Sequence, residues 1–202
     1  EVREKNILKS IERYRKRSNR ILYSSAEPIV NEILAYLGRM EGLEHATAAG
    51  SYRRRRETVG DVDILATAAR PEEIVAAFVK MPLVEEVLAK GPTKASVIVN
   101  DTIQVDLRIV EHRSYGTVLQ YFTGSKEHNV RMRQLALDRG YSLSEYSLTR
   151  LADGQELFFD REEDVYRSLG LEYIPPELRE DRGEIEAALE GRLPRLVENK
   201  DI

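Results

Sequence analysis

The apolar positions of this chain change rhythm twice. Ile7, Leu8, Ile11 and Tyr14, and then Ile29, Val30, Ile33, Leu34 and Leu37 after Pro28, recur at helical spacing. From 46 to 110 the rhythm is mostly two. ATAAGS and VGDVDILAT predict adjacent strands, and ASVIVN and TIQVDLRIV predict a hairpin turning at Asn100-Asp101. Between them PEEIVAAFVKM predicts a helix with Pro71 in its first turn. Beyond 113 the pattern is mixed: helices near 114–122 and 126–139, short strands, and two acidic helical stretches. The order is helices, an α/β sheet unit, then a smaller mixed lobe, an α+β chain without internal repeat or low-complexity segment.

Composition narrows the class. The 202 residues are 42% hydrophobic, enough for one or two cores. With no cysteine, disulfides and thiolate metal sites are excluded and a reducing, cytoplasmic setting is expected. No run approaches the roughly 20 apolar residues of a membrane span, and the charged opening EVREKNILKS is unlike a signal peptide. The basic opening helix has no N-cap residue, and GRLPRLVENKDI reads as a linker, so a piece of a longer protein is expected. A net charge of −4 argues against wholesale electrostatic binding to nucleic acid. The average hides an asymmetry: residues 1–20 hold eight Lys or Arg against three acids, and residues 153–191 hold thirteen acids against four Arg. A polyanion partner would therefore meet the first half and the middle.

The stretch GSYRRRRETVGDVD, residues 50–63, sets four arginines beside two aspartates. Strand alternation puts Asp61 and Asp63 on one face and Val62 and Ile64 on the other. In QVDLRIV it puts Gln104, Asp106 and Arg108 on one face, with Val105, Leu107 and Ile109 in the core. Paired carboxylates repel unless a cation lies between them, and oxygen-only donors select a hard ion, Mg²⁺ or Mn²⁺. A third carboxylate on a neighbouring strand is what a site for two ions requires. Taken singly these features are ordinary: D-x-D is common, Gly-Ser is a turn, and an arginine run is a solvated loop. Together they form a specific pattern in which the Gly50-Ser51 backbone can cradle phosphates.

That pattern resembles the nucleotidyltransferase superfamily, which joins a Gly-Ser turn, D-x-D and a third carboxylate in a palm with a mixed sheet. The stretch YFTGSKEHNVRMRQLALDRGYSLSEYSL, residues 121–148, narrows the likeness. Adjacent aromatics precede a tight turn, and Asn129 and Arg133 follow at i and i+4 of a helix. Y-F-T-G-S with N-x-x-x-R resembles the family X DNA polymerases, and the bacterial and archaeal type in particular, through ETVGDVDIL, GPTKASV, VDLR and GLEYIPPELRE.

The resemblance implies template-directed addition of dNMP from a dNTP to a primer 3′-hydroxyl, with two Mg²⁺ or Mn²⁺ ions, in gap-filling base excision repair. It implies the end of a fingers region with part of a helix-hairpin-helix at 1–43, a palm at 44–112 and a nucleotide-selecting thumb with a linker at 113–202. It further implies an N-terminal lyase-like domain and a C-terminal PHP domain, neither of them within these 202 residues. Asp61, Asp63 and Asp106 take the place of the metal-binding triad, with Asp106 nearest the primer hydroxyl. Arg20, Gly50, Ser51, Arg54 and Gly60 match triphosphate-side positions. Tyr121, Phe122 and Gly124 match the sugar-side wall, and Asn129 the minor-groove contact to the incoming base. Lys94, Arg108 and Arg133 match DNA contacts. A cis peptide between Gly124 and Ser125 is implied as well. The partners are a dNTP and primer-template or gapped DNA, with a monomer free of membrane in a prokaryotic, nucleoid-associated setting.

Three departures stand out. Arg55 replaces a glycine, Gln104 replaces an arginine found in some members, and Lys126 replaces an acidic residue of some animal members. His45, His112 and His128 are expected to be lone packing or surface residues. Competing readings are a template-independent nucleotidyltransferase, which leaves Tyr121, Phe122, Asn129 and Arg133 unexplained, and a non-catalytic DNA-binding fragment.

Overall fold

The computed structural model describes residues 20–197 and 201, so the helix read at 7–14 and the hairpin remnant around it lie outside the described residues. The chain divides into two compact units, one up to Tyr115 and one from Gly116.

The first unit is built on a five-stranded mixed sheet. Its strands are β2 (Leu43–Ala48), β4 (Asp61–Ala68), β5 (Val84–Lys90), β6 (Lys94–Val99) and β7 (Ile103–Ile109), in the order β2-β4-β7-β6-β5. The β4–β7 pair is parallel and the other pairs are antiparallel. A parallel neighbour needs a crossover, which here runs through helix α3 (Pro71–Phe78) and the hairpin strands β5 and β6. The Asn100-Asp101 turn comes out as expected, both residues lying at φ 50°. Asn and Asp tolerate that left-handed region better than other side chains.

Alternation decides which face is covered. Val62, Ile64, Ala66, Ala95, Val97, Val99, Val105 and Leu107 all face one buried core. Ala26, Val30, Ile33 and Leu37 of α1 (Tyr23–Leu37) and Ile74, Val75 and Phe78 of α3 complete it. Helix α1 begins at Tyr23, five residues before Pro28. A proline marks a helix start by habit, yet here it sits inside the second turn, where it removes the donor that the Ser24 carbonyl would otherwise receive. A two-stranded ribbon, β1 (Ile21–Leu22) with β3 (Thr58–Val59), ties the chain before α1 to the loop before β4.

The second unit packs α4 (Tyr115–Thr123, of which Gly116 onward belongs here) and α5 (Lys126–Asp138) with a three-stranded antiparallel sheet. The strands are β8 (Tyr141–Leu143), β9 (Leu148–Arg150) and β10 (Glu156–Leu157). The two acidic stretches are helices α6 (Glu162–Ser168) and α7 (Glu184–Leu189). Its core gathers Met132, Ala136, Leu148, Val165, Tyr166, Leu169 and Ile174. Among the described residues no helix is long and apolar enough to cross a membrane.

Candidate active site

Opposite the helices, the central strands of the first unit carry polar side chains. In the parallel β4–β7 register Asp61 pairs with Gln104 and Asp63 with Asp106. The three aspartates therefore share one face of two adjacent strands, as alternation predicts. On the antiparallel side Asp106 pairs with Ser96, and Arg108 with Lys94. Ser96 went unnoticed in the sequence, although its place between buried Ala95 and Val97 assigns it to this face.

Electrostatics report the convergence. Burial, then the charges of Asp61 and Asp106, push the Asp63 carboxyl up to about 7, and Arg108 only partly opposes them. Asp106 is oriented by its strand neighbour but one: Gln104 Nε2 donates to Oδ1 at 3.0 Å and Oδ2 at 2.9 Å. A neutral amide thus holds the third carboxylate without cancelling its charge. Among the described residues no three Asp, Glu or His side chains already form a cage around one point. The donor chemistry nevertheless fits a divalent cation, since three carboxylates with this mutual repulsion form an oxygen-only, electron-rich set.

The Gly50-Ser51 turn lies against this cluster. The Ala49 N–H donates to the Asp63 carbonyl at 2.7 Å, and Gly50 opens a four-residue helix, α2 (Gly50–Arg53), at φ +62°. A Cβ on Gly50 would stand 2.9 Å from Asp63 Oδ2. Only glycine satisfies both the backbone angle and the contact. Ser51, Arg53 and Arg54 are half-buried, while Arg55 and Arg56 are exposed. Arg55 takes φ 53°, the left-handed conformation that glycine adopts at less cost than arginine. Arg20 bends onto the same loop: Nε donates to Thr58 Oγ1 at 2.8 Å and Nη2 to the Thr58 carbonyl at 2.5 Å. A Cβ on Gly60 would stand 3.1 Å from Arg20 Nη1, so the glycine leaves room for that guanidinium. The sequence also gave no hint that Tyr52 stacks on Tyr23, with ring centroids 5.0 Å apart, joining the arginine loop to α1.

The second unit carries the other predicted residues. Tyr121 and Phe122 meet edge to face at 5.4 Å at the end of α4. Ser125 caps α5, its hydroxyl accepting the His128 N–H at 3.0 Å. Asn129 turns back on the intervening turn: its Nδ2 donates to the Tyr121 carbonyl at 2.7 Å and the Gly124 carbonyl at 3.3 Å. Arg133, one turn on, is exposed, as is Lys126.

Two expectations are corrected. The peptide bond between Gly124 and Ser125 is trans, because no cis bond occurs among the described residues; trans is the lower-energy form, and the Ser125 N–H reaches the Arg179 carbonyl at 3.0 Å. The histidines are not lone. His45 and His112 face each other at 5.5 Å on the surface, with His112 Nδ1 3.3 Å from Glu44. His128 is fully buried between Glu184 and Tyr166.

Residues 20–137 match the family described as DNA polymerase beta palm, and residues 118–180 the one described as DNA polymerase beta thumb. This chain belongs to the family X DNA polymerases. It is 37% identical over 185 residues to "DNA polymerase/3'-5' exonuclease PolX" of Bacillus subtilis (strain 168), covering 91% of this chain and 32% of that protein. It is 29% identical over 163 residues to "DNA polymerase lambda" of Rattus norvegicus, covering 66% of this chain and 28% of that protein. The chain thus spans about a third of the length of these family X relatives. The α+β fold with its mixed sheet agrees with the palm of this family.

Proposed function

We propose that this chain carries the nucleotidyl-transfer chemistry of a template-directed DNA polymerase, adding dNMP from a dNTP to a primer 3′-hydroxyl. Residues 44–112 act as the palm and those from 113 onward as the nucleotide-selecting thumb. The observation that carries the reading is the Asp63–Asp106 register on adjacent strands, with the Gly50 backbone seated against Asp63.

Asp61, Asp63 and Asp106 would hold two divalent cations, Mg²⁺ or Mn²⁺. Bound there, such ions supply Lewis acidity at the attacking hydroxyl and at the triphosphate. The remaining work falls to the chain. The mutual repulsion of Asp61, Asp63 and Asp106 favours any cation that enters, and Gln104 keeps both Asp106 oxygens in a fixed orientation. The Gly50-Ser51 backbone and the Ser51 hydroxyl donate to phosphate oxygens, and Arg20, Arg54 and the Gly60 loop balance their charge. Lys94, Arg108 and Arg133 meet the DNA backbone and template. Tyr121, Phe122 and the Gly124 turn form the wall beside the sugar, and Asn129 makes the minor-groove contact to the incoming base, its amide leaving the Tyr121 or Gly124 carbonyl to do so. The substrate class is primer-template DNA, with short repair gaps as the natural form.

Primer extension with each dNTP supplied alone, with Mg²⁺ or Mn²⁺, tests this. Incorporation that follows the template base and disappears in Asp106→Ala, with DNA affinity retained, supports the reading. Incorporation indifferent to template points to a template-independent transferase. No incorporation and no metal-dependent dNTP binding points to a DNA-binding role alone.

A further inference from the structure

Four adjacent arginines, Arg53 to Arg56, run from the end of α2 toward β3 in the first unit. Neighbouring like charges favour an open, solvated loop. This one is compact. The N–H groups of Arg53, Arg54 and Arg56 donate to the Ala49, Gly50 and Ser51 carbonyls at 3.2, 3.3 and 3.1 Å, and that of Arg55 to the Tyr52 carbonyl at 2.9 Å. Helix α2 has only four residues, and no side chain caps it at Ala49. A single turn of that kind does not persist by itself, so its shape depends on what it is tied to.

The ties lead to the short segment 20–23. At the start of the loop the Tyr52 ring lies on the Tyr23 ring, centroids 5.0 Å apart and planes 13° from parallel. At the far end the Glu57 carbonyl accepts the Tyr23 N–H at 2.9 Å, and Thr58 and Val59 pair with Leu22 and Ile21. Arg20 closes the same end through its two bonds to Thr58. Both ends of the loop thus meet Tyr23, the first residue of α1, a helix fixed in the core by Ala26 and Val30. The far end is a backbone ladder ending on fully buried Val59. The near end depends on the stack of two half-buried rings. Ser51 and Arg54, three residues apart, share one face of the turn, and Tyr52 points about 100° round from Ser51. Fixing Tyr52 against Tyr23 therefore fixes where that face looks.

We propose that Tyr23 and Tyr52 are positioning residues that hold the arginine loop in the shape in which Ser51 and Arg54 meet a triphosphate. This rests on the reading of that loop as the triphosphate side of the site. The stack lies outside the buried core of the unit, so its loss loosens the loop and leaves the sheet in place.

Amide hydrogen exchange without nucleotide tests the hold on the loop, since the amides of Arg53 to Arg56 are all hydrogen-bonded. In Tyr52→Leu and in Tyr23→Leu they exchange about two- to tenfold faster, the size of one lost aromatic pair. The double variant adds little to either single one, Tyr52→Phe exchanges as the wild type does, and the amides of β4 are unchanged. Calorimetry with inorganic triphosphate and Mg²⁺, in the absence of DNA, tests the consequence. Tyr52→Leu binds about two- to tenfold more weakly and Tyr52→Phe as the wild type. In primer extension KM for dNTP rises by the same factor, while kcat changes less than twofold and affinity for primer-template DNA is kept.

Unchanged exchange in Tyr52→Leu overturns the proposal. So does faster exchange extending equally through β4, which would mark a general loss of stability. Faster loop exchange with unchanged triphosphate affinity overturns it in favour of a packing role. A wild-type chain that binds triphosphate but extends no primer overturns the polymerase reading alone, and one that binds no triphosphate overturns both.

Discussion

Gln104 and Asp106 are joined by a forked hydrogen bond, one amide nitrogen reaching both oxygens of the carboxylate at 3.0 and 2.9 Å. They lie two residues apart on β7 and so on the same face. The fork fixes the plane of the carboxylate, and an amide does so without adding the positive charge that a cation would bring beside it. Gln104→Leu keeps the bulk and removes the donor. We expect kcat to fall about 10- to 100-fold, the usual cost of losing a group that orients a metal ligand, with KM for dNTP within about threefold. A matching rise in the Mg²⁺ concentration needed for half-maximal rate would locate the loss at Asp106.

Asp63 shows how function and stability oppose each other at this site. Its carboxyl, pushed up to about 7 by burial and by Asp61 and Asp106, is a like charge held where the fold alone would not hold it. Asp63→Asn keeps the shape and removes the charge. In EDTA at pH 8 the variant should be more stable to urea by a few kcal/mol, at most about 4, the rise from 3.8 to about 7 taken at about 1.4 kcal/mol per pKa unit. It should be inactive at any Mg²⁺ concentration. A variant less stable than the parent in EDTA would show that the triad is not under repulsive strain.

Gly50 is where the loop and the carboxylates are fitted together. Gly50→Ala places a Cβ 2.9 Å from Asp63 Oδ2 on a residue at φ +62°. One of the two must move, at a cost of about 1–3 kcal/mol for a held backbone outlier. Activity should fall further than stability, because the movement occurs at a carboxylate of the aspartate cluster. The comparison to make is with Gly154→Ala, a glycine also at positive φ (+72°) where a Cβ would meet nothing within 4 Å. Both variants should lose stability, and only Gly50→Ala should lose activity.

How much could be read beforehand follows from which interactions are local. The period of two in VGDVDIL and QVDLRIV assigned each aspartate to its face, because the pleat is a property of neighbouring residues. Their pairing in register is a long-range fact, and it came from likeness to a family rather than from spacing. Strand β5 was missed because VEEVLAK is an edge strand with exposed Glu86 and Val87 and two register shifts, so no alternation survives to be seen. The start of α1 was missed because Pro28 looks like a first-turn residue. His128 was expected as a lone packing or surface residue; it is buried as a packing residue would be, but it is not lone, and its partners Tyr166 and Glu184 lie 38 and 56 residues away. Nothing local to KEHNVR announces them.

The same buried histidine gives the second unit a definite response to acid. It is faced by Glu184 and Asp181, by Arg179 and by the Tyr166 hydroxyl. Burial, with Arg179 adding to it, holds its pKa below the ordinary 6.5 against the pull of Glu184. Below 6.5 the unfolded chain takes up a proton that the folded chain resists, so stability falls as pH drops through that value. The loss continues until the folded ring itself protonates, which breaks the acceptance from Tyr166. Glu184 adds a lower window. Burial alone would raise its pKa, but the bond from His128 and the backbone N–H groups outweigh it and leave it at about 2, below the usual 4.5. Its contribution is complete above 4.5 and fades as pH falls from there through 2. Urea denaturation from pH 7.5 to 5 should show a loss of about 1 kcal/mol below pH 6.5. His128→Asn should flatten that part of the curve while the decline below 4.5 persists. A profile unchanged by the substitution would mean that His128 titrates as it does in the unfolded chain, and that its contacts to Glu184 and Tyr166 do not respond to acid.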